Sequence, residues 1–119
     1  MTVIYQAIEA LEAFPEEPLS EKERDLLGVL FSNVAQTYLT DKDYGRAEDM
    51  LNKAVKILPN DGKVLYRLGL CMLQRKNVQA AMEYALQAQR QANDVAVQKL
   101  IRDIQAIPTL SLDGDRAKV

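Results

Sequence analysis

The sequence predicts an all-α fold made of stacked antiparallel helix pairs. Three observations carry that expectation. The chain repeats itself with an offset of 34 residues. Its apolar residues recur at one-turn spacing along several stretches. It holds only 5 Gly and 4 Pro in 119 residues, and Leu, Ala, Glu, Gln and Lys, all good helix formers, are frequent. The offset aligns Phe31-Ser32-Asn33-Val34-Ala35 with Leu65-Tyr66-Arg67-Leu68-Gly69. It also pairs Asp43 with Asn77, Ala47 with Ala81, Ala54 with Ala88, and Pro59-Asn60 with Asn93-Asp94.

The elements follow in order. From Val3 to Phe14, apolar residues at 3, 4, 7, 8, 11 and 14 form a helical stripe that stops at Pro15. This reads as the second helix of a pair whose first helix is missing; whether Tyr5-Ile8 or Ala7-Ala10 takes the repeat positions stays open. Pro15-Glu16-Glu17-Pro18 is an expanded loop. Ser20 with Glu23 is a capping box that opens the next helix. Leu26, Leu27, Leu30, Phe31, Val34, Ala35 and Tyr38 then form one face of it. Thr40-Asp41-Lys42-Asp43 makes the turn, with Asp43 as N-cap. The following helix carries Ala47, Met50, Leu51, Ala54, Val55 and Leu58 along a stripe, and Pro59 stops it.

The same pair recurs one period later. Small residues at 35, 47, 54, 69, 81 and 88 mark where two helices approach closely; a large side chain there costs about 1–3 kcal/mol of strain. Val97, Leu100, Ile101, Ile104 and Ile107 form a final amphipathic helix that covers the open end of the stack. Thr109 to Val119 has no pattern and reads as a flexible tail, with Asp113-Gly114-Asp115 an ordinary turn because the later ligands of a calcium loop are absent. Six helices are expected in all.

Composition excludes most chemistry. Apolar residues are 48% and charged residues 27%, the balance of a folded globular chain. The net charge of −2 argues against a general nucleic-acid binder. There is no His and a single Cys, so no intramolecular disulfide, no Cys/His zinc site and no His-based catalytic scheme is available. The lone Cys71, flanked by Leu70 and Met72, reads as a small buried hydrophobe and suits a reducing compartment, hence the cytoplasm. No apolar run is long enough to cross a membrane. Met1–Glu12 carries acids and no basic residue, unlike a signal peptide. No phosphate loop, metal spacing or nucleophile–base pair is found. An enzyme is not expected, and neither is a cofactor or a metal.

A period of 34 residues with large, large-small and later Ala positions resembles the tetratricopeptide repeat, and the likeness covers residues 28 to 94. The resemblance implies a helical superhelix whose first helices line a concave groove. Its partial first repeat would span 1–15, full repeats about 28–61 and 62–95, and a capping helix 95–107, with 108–119 as tail. By position, Val29, Ser32, Asn33, Gln36 and Thr40 point to the groove from one repeat, and Lys63, Tyr66, Arg67, Leu70 and Gln74 from the next.

Lys63 and Arg67 share one helix face and repel each other, with no acid at position 59 or 71 to offset them. Asn33 lies one period before Arg67, at the same height on the adjacent helix. Asn, Lys and Arg converging in this way suit an extended anionic peptide ending in a carboxylate. Leu30-Phe31-Ser32-Asn33 and Lys63-Val64-Leu65-Tyr66-Arg67 are similar to the clamp segments of co-chaperone tetratricopeptide domains, such as those of large immunophilins and the heat-shock organising protein. That resemblance implies a peptide site of Asn33, Lys63 and Arg67, with Gln36 and Tyr66 beside them, for the acidic C-terminus of heat-shock protein 90 or 70. The same family's clamp also takes a Lys and an Asn from a helix that this sequence does not contain.

Two other roles stay open at this point. One is a scaffold or assembly subunit that binds a protein through apolar surfaces with no chaperone link. The other is the tetratricopeptide part of a peptidyl-prolyl isomerase. The stripe of Val3, Ile4, Ala7 and Leu11, lacking a partner helix, also predicts self-association through that end.

Overall fold

The structure is a computed structural model, and it describes residues 18–108. Five helices make up the described part: α1 (Glu21–Thr40), α2 (Tyr44–Ile57), α3 (Gly62–Gln74), α4 (Val78–Gln91) and α5 (Val95–Gln105). No strand occurs among the described residues. The expected helix at Val3–Phe14, its self-association, the loop from Pro15 to Glu17 and the tail from Thr109 on lie outside the described residues.

Each helix starts where a polar side chain accepts the orphan N–H groups of its first turn. Ser20 and Glu23 form a complete capping box on α1: Ser20 N–H donates to Glu23 Oε1 at 2.8 Å and Glu23 N–H to Ser20 Oγ at 3.1 Å. Asp43 caps α2, Asp61 caps α3, Asn77 caps α4 and Asp94 caps α5.

The two tight turns are copies of each other. Lys42 and Lys76 adopt the left-handed conformation, with φ of 61° and 68°. Behind them Asp43 N–H donates to the Tyr38 carbonyl at 2.8 Å and Asn77 N–H to the Met72 carbonyl at 2.9 Å. That is the bond pattern of a helix reversed by a left-handed residue just past its end. The sequence period is thus a period of backbone geometry.

Helices α1 and α2 pack as one pair and α3 and α4 as a second, with α5 closing the stack against α4 and α3. The core runs through both pairs. Leu27, Phe31, Val34, Ala35, Ala47, Leu51, Ala54, Val64, Leu68, Cys71, Met72, Ala81, Ala85, Leu100 and Ile104 form one buried cluster. Ala35, Ala47, Ala54, Ala81 and Ala88 are completely buried, and Gly69 is buried with them, so the close-approach positions are where their spacing put them.

One position departs from the expected packed face. Leu26 is 51% exposed and Val29, one turn on, 43%. Leu27 and Gly28 take the buried side instead. The apolar stripe of α1 was read from spacing alone, and helical spacing does not say which edge of a broad stripe is covered.

Candidate functional site

The concave side of the stack holds an open groove of about 430 Å³. It is lined by Gln36 of α1, by Gly62, Lys63, Tyr66 and Arg67 of α3, by Ala88 at the end of α4, and by Asp94, Ala96 and Val97 at the start of α5. Most of the lining comes from α1, α3 and the start of α5, the first helices of successive pairs, and the end of α4 adds Ala88 and the Ala92 that follows it. Four of the five residues singled out for peptide binding, Gln36, Lys63, Tyr66 and Arg67, fall in this one groove.

Asn33, the fifth, sits in an adjoining hollow of about 120 Å³ with Ser32, Asp61 and Lys63. Lys63 borders both spaces and joins them. Asn33 and Arg67 do stand at one height, with Arg67 Nη1 3.4 Å from Asn33 Oδ1.

Arg67 is more than a groove cation. Its Nη1 donates to the Ser32 hydroxyl oxygen at 2.8 Å and to the Ser32 carbonyl at 2.9 Å. Ser32, expected to point into the groove, is buried at 3% exposure. The reason is the reach of an arginine: placed one helix away at the same height, its guanidinium covers the serine and ties α1 to α3. Burial holds the Arg67 guanidinium below its ordinary pKa, and the Asp61 carboxylate acts in the opposite direction. Arg67 stays protonated at neutral pH in either case.

Lys63 is the contrasting cation. Its side chain is exposed and makes no hydrogen bond or ion pair with any described residue. The expected lack of a compensating acid is corrected here. Two carboxylates cap the helices that open onto the groove. Asp61 Oδ1 accepts from the N–H groups of Lys63 at 3.0 Å and Val64 at 3.1 Å. Asp94 Oδ1 accepts from Val97 N–H at 2.9 Å. These three hydrogen bonds from N–H groups leave both negative charges in place, so the groove is a mixed field, cationic at Lys63 and Arg67 and anionic at Asp94. Sequence reasoning missed both acids as groove elements. The signal was present, since an Asp before each apolar stripe is an N-cap, and the N-terminus of a first helix opens on the groove.

The remaining candidates are structural. Cys71 is buried, and its Sγ donates to the Tyr44 carbonyl at 3.4 Å. Burial and the nearby Glu48 charge push its thiol up to about 11. Among the described residues no group of His, Cys, Asp and Glu could hold a metal ion. No helix of the described residues is long and apolar enough to cross a membrane.

One comparison with known proteins agrees with this architecture. The family model described as tetratricopeptide repeat matches residues 38–104, more than half of the chain. No curated protein and no solved structure matches it.

Proposed function

This chain belongs to the tetratricopeptide repeat family, a protein-interaction fold, and we propose that it is a co-chaperone-like adaptor. Its groove holds the acidic C-terminal peptide of a heat-shock chaperone, the tail of heat-shock protein 90 or 70. The observation that carries this reading is the gathering of Lys63, Arg67, Gln36 and Tyr66 on one 430 Å³ groove. Lys63 pairs with the peptide's carboxylate as a mobile point charge, and Arg67 adds directed donors. Gln36 supplies an amide that can both donate to and accept from an extended backbone. Tyr66, Ala88 and Val97 provide apolar floor. Asp94 sets polarity: acidic side chains lie towards Lys63 and Asn33, away from the start of α5.

The repeats at about 28–61 and 62–95 with the closing helix at 95–107 form the binding unit. The adaptor is proposed to bind without catalysis, and its one thiol is buried and pushed up to about 11. A single Cys suits a reducing compartment, and the proposed place of action is the cytoplasm.

The test is a fluorescence-anisotropy titration of a labelled heptapeptide with the C-terminal sequence of heat-shock protein 90, at several salt concentrations. Binding should weaken as salt rises, because the Debye length shrinks from about 10 Å at 0.1 M. It should fall about tenfold to hundredfold in Lys63→Ala. Salt-independent binding, or none, would remove the reading.

A second reading is favoured by Leu26 and Val29, 51% and 43% exposed on α1. An exposed apolar pair of this kind suits a scaffold that docks a protein along α1. In that case Leu26→Ser would break complexes of the protein and Lys63→Ala would not.

A further inference from the structure

A guanidinium has five N–H donors in one rigid plane. In Arg67 a single corner is used. Nη1 donates to Ser32 Oγ at 2.8 Å and to the Ser32 carbonyl at 2.9 Å, with Asn33 Oδ1 a distant third at 3.4 Å. The Nε and Nη2 donors make no hydrogen bond with any described residue, while Arg67 itself lines the groove.

Ser32 behaves unlike the other hydroxyls of its helix. Thr37 Oγ1 donates to the Asn33 carbonyl at 3.5 Å and Thr40 Oγ1 to the Gln36 carbonyl at 3.0 Å, the usual local bond of a helical hydroxyl. Ser32 makes no such bond among the described residues; its oxygen accepts from the next helix pair instead. Its hydroxyl is also the buried polar side chain of the described part, at 3% exposure. Two acceptors on one residue, holding one corner of a planar group, fix the plane of that group.

We propose that Ser32 is the positioning residue of the groove. It fastens Arg67 so that the Nε and Nη2 donors stand ready as a two-pronged site for the terminal carboxylate of a bound peptide. This rests on the reading of the groove as a site for a carboxylate-bearing peptide. A carboxylate offers two oxygens in the spacing of two adjacent guanidinium donors, so a pre-set plane gives both affinity and selection. An arginine that has to be ordered on binding gives less, because the ordering cost falls on the complex.

The experiment is a calorimetric titration of two peptides, the acidic heptapeptide of heat-shock protein 90 as the free acid and the same peptide amidated at its C-terminus. The wild-type protein should prefer the free acid by about tenfold to hundredfold, the range of a charge-assisted pair. Ser32→Ala should weaken the free acid about threefold to tenfold and leave the amide within about twofold, because the lost bond holds the plane of Arg67 and is felt only through it. Arg67→Lys keeps the charge and loses the fork, so it should shrink the preference at least as far. A purely structural serine would lower both affinities alike, and that result overturns the proposal. So does a preference that survives Ser32→Ala intact. If the wild-type protein binds neither peptide, the reading of the groove itself falls and this inference falls with it.

Discussion

Arg67 and Ser32 are joined across two helix pairs, with Nη1 2.8 Å from the serine hydroxyl and 2.9 Å from its carbonyl. A side chain that a peptide would use is therefore also a fastener of the stack. Removing it leaves a buried hydroxyl without its donor, which costs about 1–3 kcal/mol. Arg67→Ala should lower stability by that amount in urea or thermal unfolding. Lys63→Ala, on an exposed side chain, should stay within about 0.5 kcal/mol of the parent.

Those two cations show how much of the site could be read in the sequence. A period of 34 residues placed Asn33 and Arg67 at one height, and the structure has them there. Height is not reach. Spacing carries no information on how far an arginine extends, and Ser32 lies beneath the Arg67 guanidinium at the edge of the hollow that Asn33 lines. Positions one turn either side of Lys63 and Arg67 carry no acid, whereas the carboxylates that bear on the groove, Asp61 and Asp94, stand before their helices begin. The helices themselves were legible because their signals are local. Ser20 with Glu23, Asp43 before Tyr44, and Pro59 after Leu58 act through bonds within a few residues. Which edge of α1 is covered depends on neighbours, and Leu26 was misplaced for that reason.

Glycines divide by what surrounds them. A Cβ on Gly28 would meet Leu58 Cδ1 and Cγ at 2.9 Å and Ile57 Cγ2 at 3.0 Å, inside a packed contact between helices. A Cβ on Gly45 would meet just Arg75 Nη1 at 3.4 Å. Alanine gains about 0.5–1 kcal/mol of helix propensity at either site. Gly45→Ala should therefore stabilise by about that amount. Gly28→Ala should destabilise, since overpacking costs about 1–3 kcal/mol and outweighs the gain. Ala54→Leu and Ala88→Leu, both at fully buried contacts, should lose about 1–3 kcal/mol as well. Thermal melts of the four variants check the order.

Lys42 and Lys76 carry positive φ at equivalent turns. A side chain there costs about 1–2 kcal/mol that glycine avoids, offset in part by glycine's greater freedom in the unfolded chain. Lys42→Gly and Lys76→Gly should each raise stability by up to about 1 kcal/mol, measured by denaturant unfolding. A β-branched residue at either place should lower it.

Cys71 predicts a pH dependence. Its thiol is pushed from 9.0 to about 11 in the fold, so the unfolded chain loses its proton first as pH rises. The unfolded state then binds fewer protons than the native state, and stability falls with increasing pH. The contribution is fully present below pH 9 and is lost between pH 9 and about 11. Other groups titrate in that window, so the measure is a difference: the melting temperature of the parent should drop more steeply between pH 9 and 11 than that of Cys71→Ala. The native thiol should also resist a thiol reagent at pH 8 until the protein unfolds.

The central claim is that a peptide lies in the concave groove, and a heteronuclear NMR titration tests it most directly. Adding the acidic C-terminal heptapeptide of heat-shock protein 90 to labelled protein should shift the amides of Gln36, Lys63, Tyr66, Arg67 and Val97. It should leave the outer helices, around Met50 and Leu86, in place. The same titration on Lys63→Ala should show the shifts greatly reduced at equal peptide concentration. Shifts confined to α2 and α4, or a spectrum that ignores the peptide, would contradict the account.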